Sequence, residues 1–382
     1  MQPSIFHLSP DTWKRALELA TMAIGVSEPN PRVGCLVISP GGMTLGEGST
    51  QAAGQAHAEV MALRVAAEAG HDVRGATAVV SLEPCSHHGR TPPCCEALID
   101  AGIARVVVAS EDPNPLVSGR GLARLRAGGL AVELVGGEFA QAARDLNIGF
   151  FSRMTRQRPW VRMKVAASLD GRTALADGSS QWITGEAART DGHAWRKRAG
   201  AVLTGIGTVR EDDPRLDVRH VRTALQPLRV VVDSRLDISP AARMLDATGR
   251  ALIYTTSNDA ARRDALHQRG SHIEVTTLPA DADGKNDLAA LLLDLAQREV
   301  NELHIEAGEK LNASFLRAGL VDEMVVYMAP RLLGDGRAIA AIGPLASLSQ
   351  SIDFQLHDVA RVGGDVRLVM RRVVGLKREP GA

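Results

Sequence analysis

Short apolar runs closed by Gly, Pro, Ser or Asp recur along the chain, separated by stretches whose apolar residues keep helical spacing. ATAVVSLEP leads into the helical CCEALIDAG and then into the strand ARVVVAS. Further on, AGAVLTGIGTV, LRVVVDS, RALIYTT, NELHIEAG and DEMVVYMAP read as strands, with DLAALLLDLAQRE and KLNASFLRAGL as helices between them. Strands that alternate with helices in this way predict an α/β fold, with helices packed over a largely parallel sheet. The opening and the end differ. DTWKRALELATMAIG (11–25) predicts a helix stopped at Gly25, and VGCLVISPGGMTLGEG a hairpin with Cys35 as a small core residue. ARVGGDVRLVMRRV reads as a final hairpin.

At 382 residues the chain exceeds what one hydrophobic core usually serves. The basic, proline-containing RMTRQRPW at 153–160 suits a connection, so two domains are expected, over 1–150 and 158–375, with no internal repeat. Lys plus Arg and Asp plus Glu both number 44, which removes any global electrostatic reason to expect nucleic acid or an acidic membrane as partner. Aromatic residues make up 3%, so the core is expected to be aliphatic. No signal-peptide pattern opens the sequence and no apolar run reaches the ~18 residues of a bilayer span, so a cytoplasmic protein is expected. In that setting Cys35, Cys85, Cys94 and Cys95 read as ligands, core residues or reactive thiols before disulfides.

HAE at 57–59 and EPCSHHGRTPPCC at 83–95 concentrate the metal-ligating side chains. His57, Cys85 and Cys94 supply one imidazole and two thiolates, a donor set that suits catalytic Zn2+ with a fourth position left for water. Each falls near a predicted helix start, where anionic sulfur is favoured. Glu59, two residues past His57, belongs beside the metal only if both sit in a first turn, and there it can shuttle protons in a hydrolytic deamination. A four-ligand structural site completed by His87, His88 or Cys95 is the alternative, as is exchange of Cys94 for Cys95. Structural zinc gives no reason for Glu59.

HAEVMALR, SLEPCSHHGRTPPCCEALI, PNPRVGC and EDPNP together resemble the deaminase half of the bifunctional riboflavin-biosynthesis deaminase-reductases. The resemblance implies a cytidine-deaminase-like three-layer domain, with His57, Cys85 and Cys94 on zinc, Glu59 catalytic, and the Asn30 region lining the pyrimidine pocket. KVAASLDGRTA, SQWIT, TVREDDPRLDVR, VVVDS and EAG before a helix are similar to the reductase half. That half implies a dihydrofolate-reductase-like fold using NADPH. Its cofactor contacts would fall at Ala166, Trp182, Thr208, Asp212, Ser234 and the turn Gly308, Glu309, Lys310, Leu311, Asn312, Ala313 and Ser314. Its substrate contacts would fall at Ser180, Arg196, Leu216, Arg219 and Glu306, the two arginines suiting a ribose phosphate.

Read without the resemblance, GIGTVR lacks the third glycine of a dinucleotide fingerprint, and HIEAGEKLNASFL offers a helix N-terminus suited to phosphate. Glu309-Lys310-Leu311 departs from the family's Pro-Thr-Leu, which places a carboxylate near an expected phosphate. Lys164 and Asp212 are candidate proton donors. The combined expectation is deamination of a pyrimidine ribotide followed by reduction of its ribosyl group, by a homo-oligomer with no nucleic-acid or membrane partner. A nucleic-acid-editing zinc deaminase with an accessory domain is the alternative; zero net charge and few aromatics argue against it.

Overall fold

A computed structural model describes residues 8–115 and 117–373. The chain forms two compact units, Met1–Arg158 and Pro159–Ala382.

The first unit begins with α1 (Pro10–Met22), capped by Ser9 accepting from the Thr12 N–H. The hairpin β1 (Gly34–Ile38) and β2 (Thr44–Ser49) follows, then α2 (Ala58–Glu68), β3 (Thr77–Val80) and α3 (Cys94–Asp100). β4 (Arg105–Val108), α4 (Arg120–Ala127), β5 (Ala131–Leu134), α5 (Gly137–Leu146) and α6 (Ile148–Arg156) complete the unit. The sheet order is β2-β1-β3-β4-β5, antiparallel through β1 and parallel from β3 to β5. Trp13, Leu19 and Ala143 of α1 and α5 pack with Leu36, Val79 and Val107 on one face. Ala58, Ala62, Leu98 and Leu125 of α2, α3 and α4 pack with Val37, Val80 and Val106 on the other, giving three layers.

Two glycines fix where α2 begins. A Cβ on Gly46 would lie 2.2 Å from the Ala62 carbonyl oxygen, and one on Gly48 2.0 Å from that of Ala58. Real Cβ atoms do not approach so closely, so only glycine lets α2 lie on β2, and this contact sets the position of His57 and Glu59.

The second unit runs β6 (Trp160–Ser168), β7 (Arg172–Leu175), α7 (Glu186–Arg198), β8 (Ala201–Gly205), α8 (Ile206–Asp212) and β9 (Leu228–Val232). α9 (Arg243–Asp246), β10 (Ala251–Thr255), α10 (Ala260–His267), β11 (Ile273–Thr277) and α11 (Leu288–Gln297) follow. β12 (Glu302–Ile305), α12 (Glu309–Arg317), β13 (Glu323–Ala329), β14 (Gly336–Ala338), β15 (Phe354–Val362) and β16 (Asp365–Arg372) close it. Nine strands form one sheet in the order β11-β10-β9-β8-β12-β6-β13-β16-β15, parallel as far as β13 and antiparallel beyond it. β7 and β14 pair separately. Leu291, Leu295, Phe315 and Leu316 of α11 and α12 cover one face, and Met244, Leu245 and Leu266 of α9 and α10 cover part of the other. From β8 the chain proceeds outward to β9, whereas from β12 it crosses β6 to β13, so the strand order reverses between β8 and β12. In open α/β sheets ligands bind at such a reversal, beyond the carboxyl ends of the strands.

Two readings are corrected. The 153–160 stretch is helix as far as Arg156, and β6 starts at Trp160, so the connection is Gln157 to Pro159 and the first unit passes residue 150. Phe150 of α6 is buried, and Arg153 and Arg156 fall in the helix's last turn, where cations suit the helix dipole. AGAVLTGIGTV is strand only to Gly205; Ile206 starts α8. Residues 374 and 375 of the expected second domain lie outside the described residues.

Candidate active sites

His57 is the N-cap of α2 and Cys94 the first residue of α3, while Cys85 lies in the loop after β3. The first turn of α3 grips Cys85: the Cys94 N–H donates to its sulfur at 3.4 Å and the Cys95 N–H to its carbonyl at 3.1 Å. His57 Nδ1 lies 3.6 Å from Cys85 Sγ and 3.3 Å from Cys94 Sγ, and the three ligand atoms all fall within 4.8 Å of one another. Tetrahedral zinc with ordinary Zn–N and Zn–S bonds separates nitrogen from sulfur by about 3.5 Å, so the donor set and its spacing fit that ion.

Glu59, in the first turn of α2, is 3% exposed, and its side chain hydrogen-bonds Cys94. Burial, and then the negative Cys85 sulfur, push the Glu59 carboxyl up to about 6; a cation held by the three ligands acts in the opposite sense. Hydrogen bonding from Cys94 holds the Cys85 thiol below its ordinary range. Cys95 turns away, its sulfur donating to the carbonyls of Pro84 at 3.3 Å and Gly121 at 3.5 Å, and His87 and His88 are exposed. Asn30 sits in a turn, its N–H donating to the Ser27 carbonyl at 2.8 Å.

Sequence reasoning missed Glu83. Its carboxylate, 4% exposed, accepts four backbone N–H groups: Asp112 at 3.2 Å, Gly119 at 3.0 Å, Gly121 at 2.8 Å and Leu122 at 3.2 Å. It thereby satisfies the first turn of α4 and ties that helix and the 112–119 loop to the segment carrying Cys85. The partners lie 29 to 39 residues away, so no local pattern announces them. Burial raises the neighbouring Asp112 to about 7.

In the second unit Ala166 lies in the last residues of β6, Ser234 follows β9, Glu306 follows β12 and α8 follows β8, all at the carboxyl ends of parallel strands. Glu306 follows β12 and meets Arg196 of α7 through Nε at 2.5 Å and Nη2 at 3.0 Å, and Lys164 of β6 at 3.8 Å. Burial pushes the Glu306 carboxyl up, but Arg196 and then Lys164 outweigh it and bring it well below the ordinary carboxylate range. Arg196 also donates to the Asp217 carbonyl at 2.9 Å, and the Asp217 carboxylate accepts from Arg219 at 2.7 Å and Arg215 at 2.9 Å. The Arg219 N–H donates to His193 Nδ1 at 3.2 Å; burial, then Arg196 and Arg219, lower His193 to about 3, so it is a neutral acceptor. Arg196, Arg219 and Glu306 are thus one network, of which Ser180 is not a part. Leu216 is buried at 2% exposure in the core with Val209 and Leu236, and offers a ligand its backbone alone.

The starts of α8 and α12 adjoin at the strand-order reversal. A Cβ on Gly205 would touch Leu311 Cδ2 at 3.1 Å, one on Gly308 would lie 3.8 Å from Thr208 Oγ1, and one on Gly207 would face open space. A phosphate-bearing cofactor fits this surface of glycine backbone and helix starts. Glu309 points away from it: its carboxylate accepts the Ala338 N–H at 3.0 Å. Asn312 donates to the Ile339 carbonyl at 2.9 Å, Ala313 is buried, and Ser314 donates to the Lys310 carbonyl at 3.2 Å. Ser234 Oγ accepts from the Asn286 backbone at 3.1 Å, Ala166 lies in β6, and Asp212 ends α8 with its carboxyl raised by burial. Trp182 is 61% exposed, with the Arg189 guanidinium 4.6 Å from its ring centroid.

Residues 10–110 match the cytidine and deoxycytidylate deaminase zinc-binding region, and residues 159–368 the RibD C-terminal domain. The riboflavin biosynthesis protein RibD of Escherichia coli (strain K12) is 42% identical over 93% of this chain and 96% of its own length. The chain belongs to the RibD family. RibD of Aquifex aeolicus is 40% identical over 96% of this chain and 99% of its own. Among solved structures, Acinetobacter baumannii RibD matches with a TM-score of 0.85 at 41% identity, covering 95% of this chain and 98% of that one. A Thermotoga maritima diaminohydroxyphosphoribosylaminopyrimidine deaminase/5-amino-6-(5-phosphoribosylamino)uracil reductase matches with a TM-score of 0.83 at 33% identity, covering 94% and 97%. As a RibD chain, it pairs a cytidine-deaminase-like first unit with a dihydrofolate-reductase-like second unit, the fold class that the resemblance implied. Among the described residues, no helix is long and apolar enough to cross a membrane.

Proposed function

We propose that this RibD chain hydrolytically deaminates 2,5-diamino-6-(5-phosphoribosylamino)pyrimidin-4-one and then reduces the ribosyl group of the product to ribityl with NADPH. The observation that carries the first step is the convergence of His57 Nδ1 and the sulfurs of Cys85 and Cys94 beside the buried Glu59. His57, Cys85 and Cys94 hold zinc, which supplies Lewis-acid activation of the attacking water. Glu59, buried beside the three ligands, takes up a proton at its carboxylate and returns it to the departing amine, so that ammonia leaves neutral. Glu83 keeps the 112–122 segment against the cysteine loop while this happens.

In the second unit, the backbone N–H groups at 207–208 and 308–311 that open α8 and α12, with the rest of the turn to 314 and with Ala166, Trp182, Asp212 and Ser234, bind NADPH, which supplies the hydride. Arg196 and Arg219 engage the ribotide phosphate in the bidentate manner that guanidinium groups favour. Glu306, Ser180 and the Leu216 backbone hold the sugar. Lys164, 3.8 Å from Glu306, is better placed than the helix-terminal Asp212 to deliver a proton to the opening ribose. A homo-oligomer in the cytoplasm completes the proposal. β15 is an open sheet edge with Leu356 55% and Val359 54% exposed, a surface that a second copy would cover.

The test follows ammonia release and NADPH oxidation separately on zinc-loaded protein given the diaminopyrimidinone ribotide. Ammonia first and NADPH consumption second is the expected order. Ammonia without NADPH oxidation would overturn the assignment of the second unit, and no ammonia from folded, zinc-bound protein would overturn that of the first.

A further inference from the structure

β12 alternates. Leu303 and Ile305 enter the aliphatic core, while Glu302, His304 and Glu306 share the opposite face of the strand. Glu302 is neutralised there by Arg162 at 2.6 Å and Arg198 at 2.8 Å, and Glu306 by Arg196. His304 lies between them, fully buried, with neither ring nitrogen making a hydrogen bond. Burial disfavours its cationic form and, with smaller help from Arg162 and Arg196, outweighs the opposing pull of the Glu306 carboxylate, so the imidazole is neutral. An unpaired buried imidazole costs stability that an aliphatic residue in the same place would not, so its presence calls for a role. His304 Nε2 lies 3.4 Å from Glu306 Oε1. At that separation the contact is a weak, overlong hydrogen bond at best, and a small swing of the carboxylate would shorten it.

Glu306 Oε1 is held in this structure by Arg196 Nε. If Arg196 turns to a substrate phosphate, as the proposed function requires, Oε1 loses its partner. We infer that His304 is a positioning residue for the reduction: its Nε2–H takes over Glu306 Oε1 as Arg196 engages the phosphate, so that Oε2 stays directed toward Lys164 and the sugar. The inference rests on the proposed substrate role of Glu306 and Arg196. It explains why a polar side chain occupies a fully buried strand position that packing alone would fill with leucine or valine.

The experiment uses the full zinc-loaded chain with NADPH and the deaminated ribotide, and compares H304M, H304Q, E306Q and H304M/E306Q. Ammonia release from the first unit and the affinity for NADPH serve as controls, and both are expected to stay at wild-type values. H304M is expected to lower kcat/KM for the ribotide about tenfold, the worth of one hydrogen bond to a charged group. H304Q, whose amide donor reaches the same place, is expected to recover most of that loss. In the E306Q background H304M should add little, because His304 acts through the carboxylate. Equal losses from H304M in both backgrounds, or no rescue by H304Q, would overturn the inference and leave His304 a packing residue. If E306Q itself leaves the ribotide kinetics unchanged, the substrate role of Glu306 fails instead, and the inference with it. Should H304M not fold, H304Q and H304N give the same comparison, since the asparagine amide falls short of Glu306.

Discussion

In the first unit the working groups are side chains held in place by backbone; in the second, much of the proposed cofactor surface is backbone held in place by side chains. The turn of α3 donates N–H groups to Cys85, and Glu83 fastens the loop beside it. At the other site, glycines at 205, 207 and 308 present the chain itself, while Glu309 and Asn312 secure the neighbouring 338–341 segment and Asn286 secures Ser234. A site made of side chains is lost with a single atom change that the fold tolerates. A site made of backbone is protected from such changes but exposed to anything that loosens its strands.

The sharpest way to break this contrast is Glu59→Gln. Removal of a general acid–base is expected to cut ammonia release roughly a thousandfold. NADPH oxidation with the already deaminated ribotide should stay unchanged, and thermal unfolding should move little, because the amide fills the same buried space. Zinc chelation should give the same dissociation of the two activities. A comparable loss of NADPH oxidation in E59Q would mean that the two units do not work separately.

The converse experiment strikes the amino ends of β6, β12 and β13. Arg162 is 1% exposed there and pairs with Glu302 and Glu323 at 2.6 Å each. Arg162→Met leaves two buried carboxylates without their central cation, at an expected cost of about 3–5 kcal/mol to the second unit, read as a lowered denaturation midpoint. Ammonia release should survive wherever the first unit stays folded. The triple change R162M/E302L/E323L should return part of the stability, because it removes the three buried charges together, while the more exposed Arg198 and Arg371 each lose one carboxylate contact. A triple variant as unstable as the single one would mean that the stacking of the Arg162 guanidinium on the Trp195 ring, with Cζ 4.6 Å from the centroid, matters more than its ion pairs.

A third effect is set by pH. Because the Glu306 carboxyl sits below its ordinary range, it contributes stability that is fully present above that range and is lost as pH falls through the lowered value. Arg196→Met removes the leading attraction, so the folded-state value rises and the acid limb of unfolding should shift to higher pH. Intrinsic fluorescence reports this well, since Trp160, Trp182 and Trp195 lie in the second unit and Trp13 alone in the first. An unmoved acid limb would show that Lys164 suffices to hold the carboxylate charged.

The same contrast explains what was legible in the sequence. His57, Glu59, Cys85 and Cys94 stand in two short segments, each near a helix start, so residue type and spacing announce both chemistry and placement. Glu83 escaped because it acts on backbone N–H groups of a distant loop, which carry no residue-type signature. Strands and helices of both units followed from apolar runs and spacing, but α6 runs on from Ile148 into a basic stretch that also suits a connection, with Phe150 on its buried face. In the second unit, residue types pointed only to the turn after β12; the other contacts came from the resemblance. Local sequence also could not say which way Glu309 faces, because its partner is the N–H of Ala338, on another strand.

Glu309 therefore gives the smallest and most discriminating prediction. Beside a phosphate, a carboxylate would repel the cofactor, and its removal would tighten binding by an order of magnitude or more. Engaged instead with the Ala338 N–H, it leaves the phosphate surface to backbone and Lys310, so Glu309→Gln is expected to change the KM for NADPH by less than about threefold. Glu309→Ala, which removes the acceptor as well as the charge, is expected to cost about 1 kcal/mol in stability through the freed 338–341 segment. A large gain in NADPH affinity for E309Q would place the side chain in the cofactor surface after all, and the second site would then depend on a single side chain much as the first does.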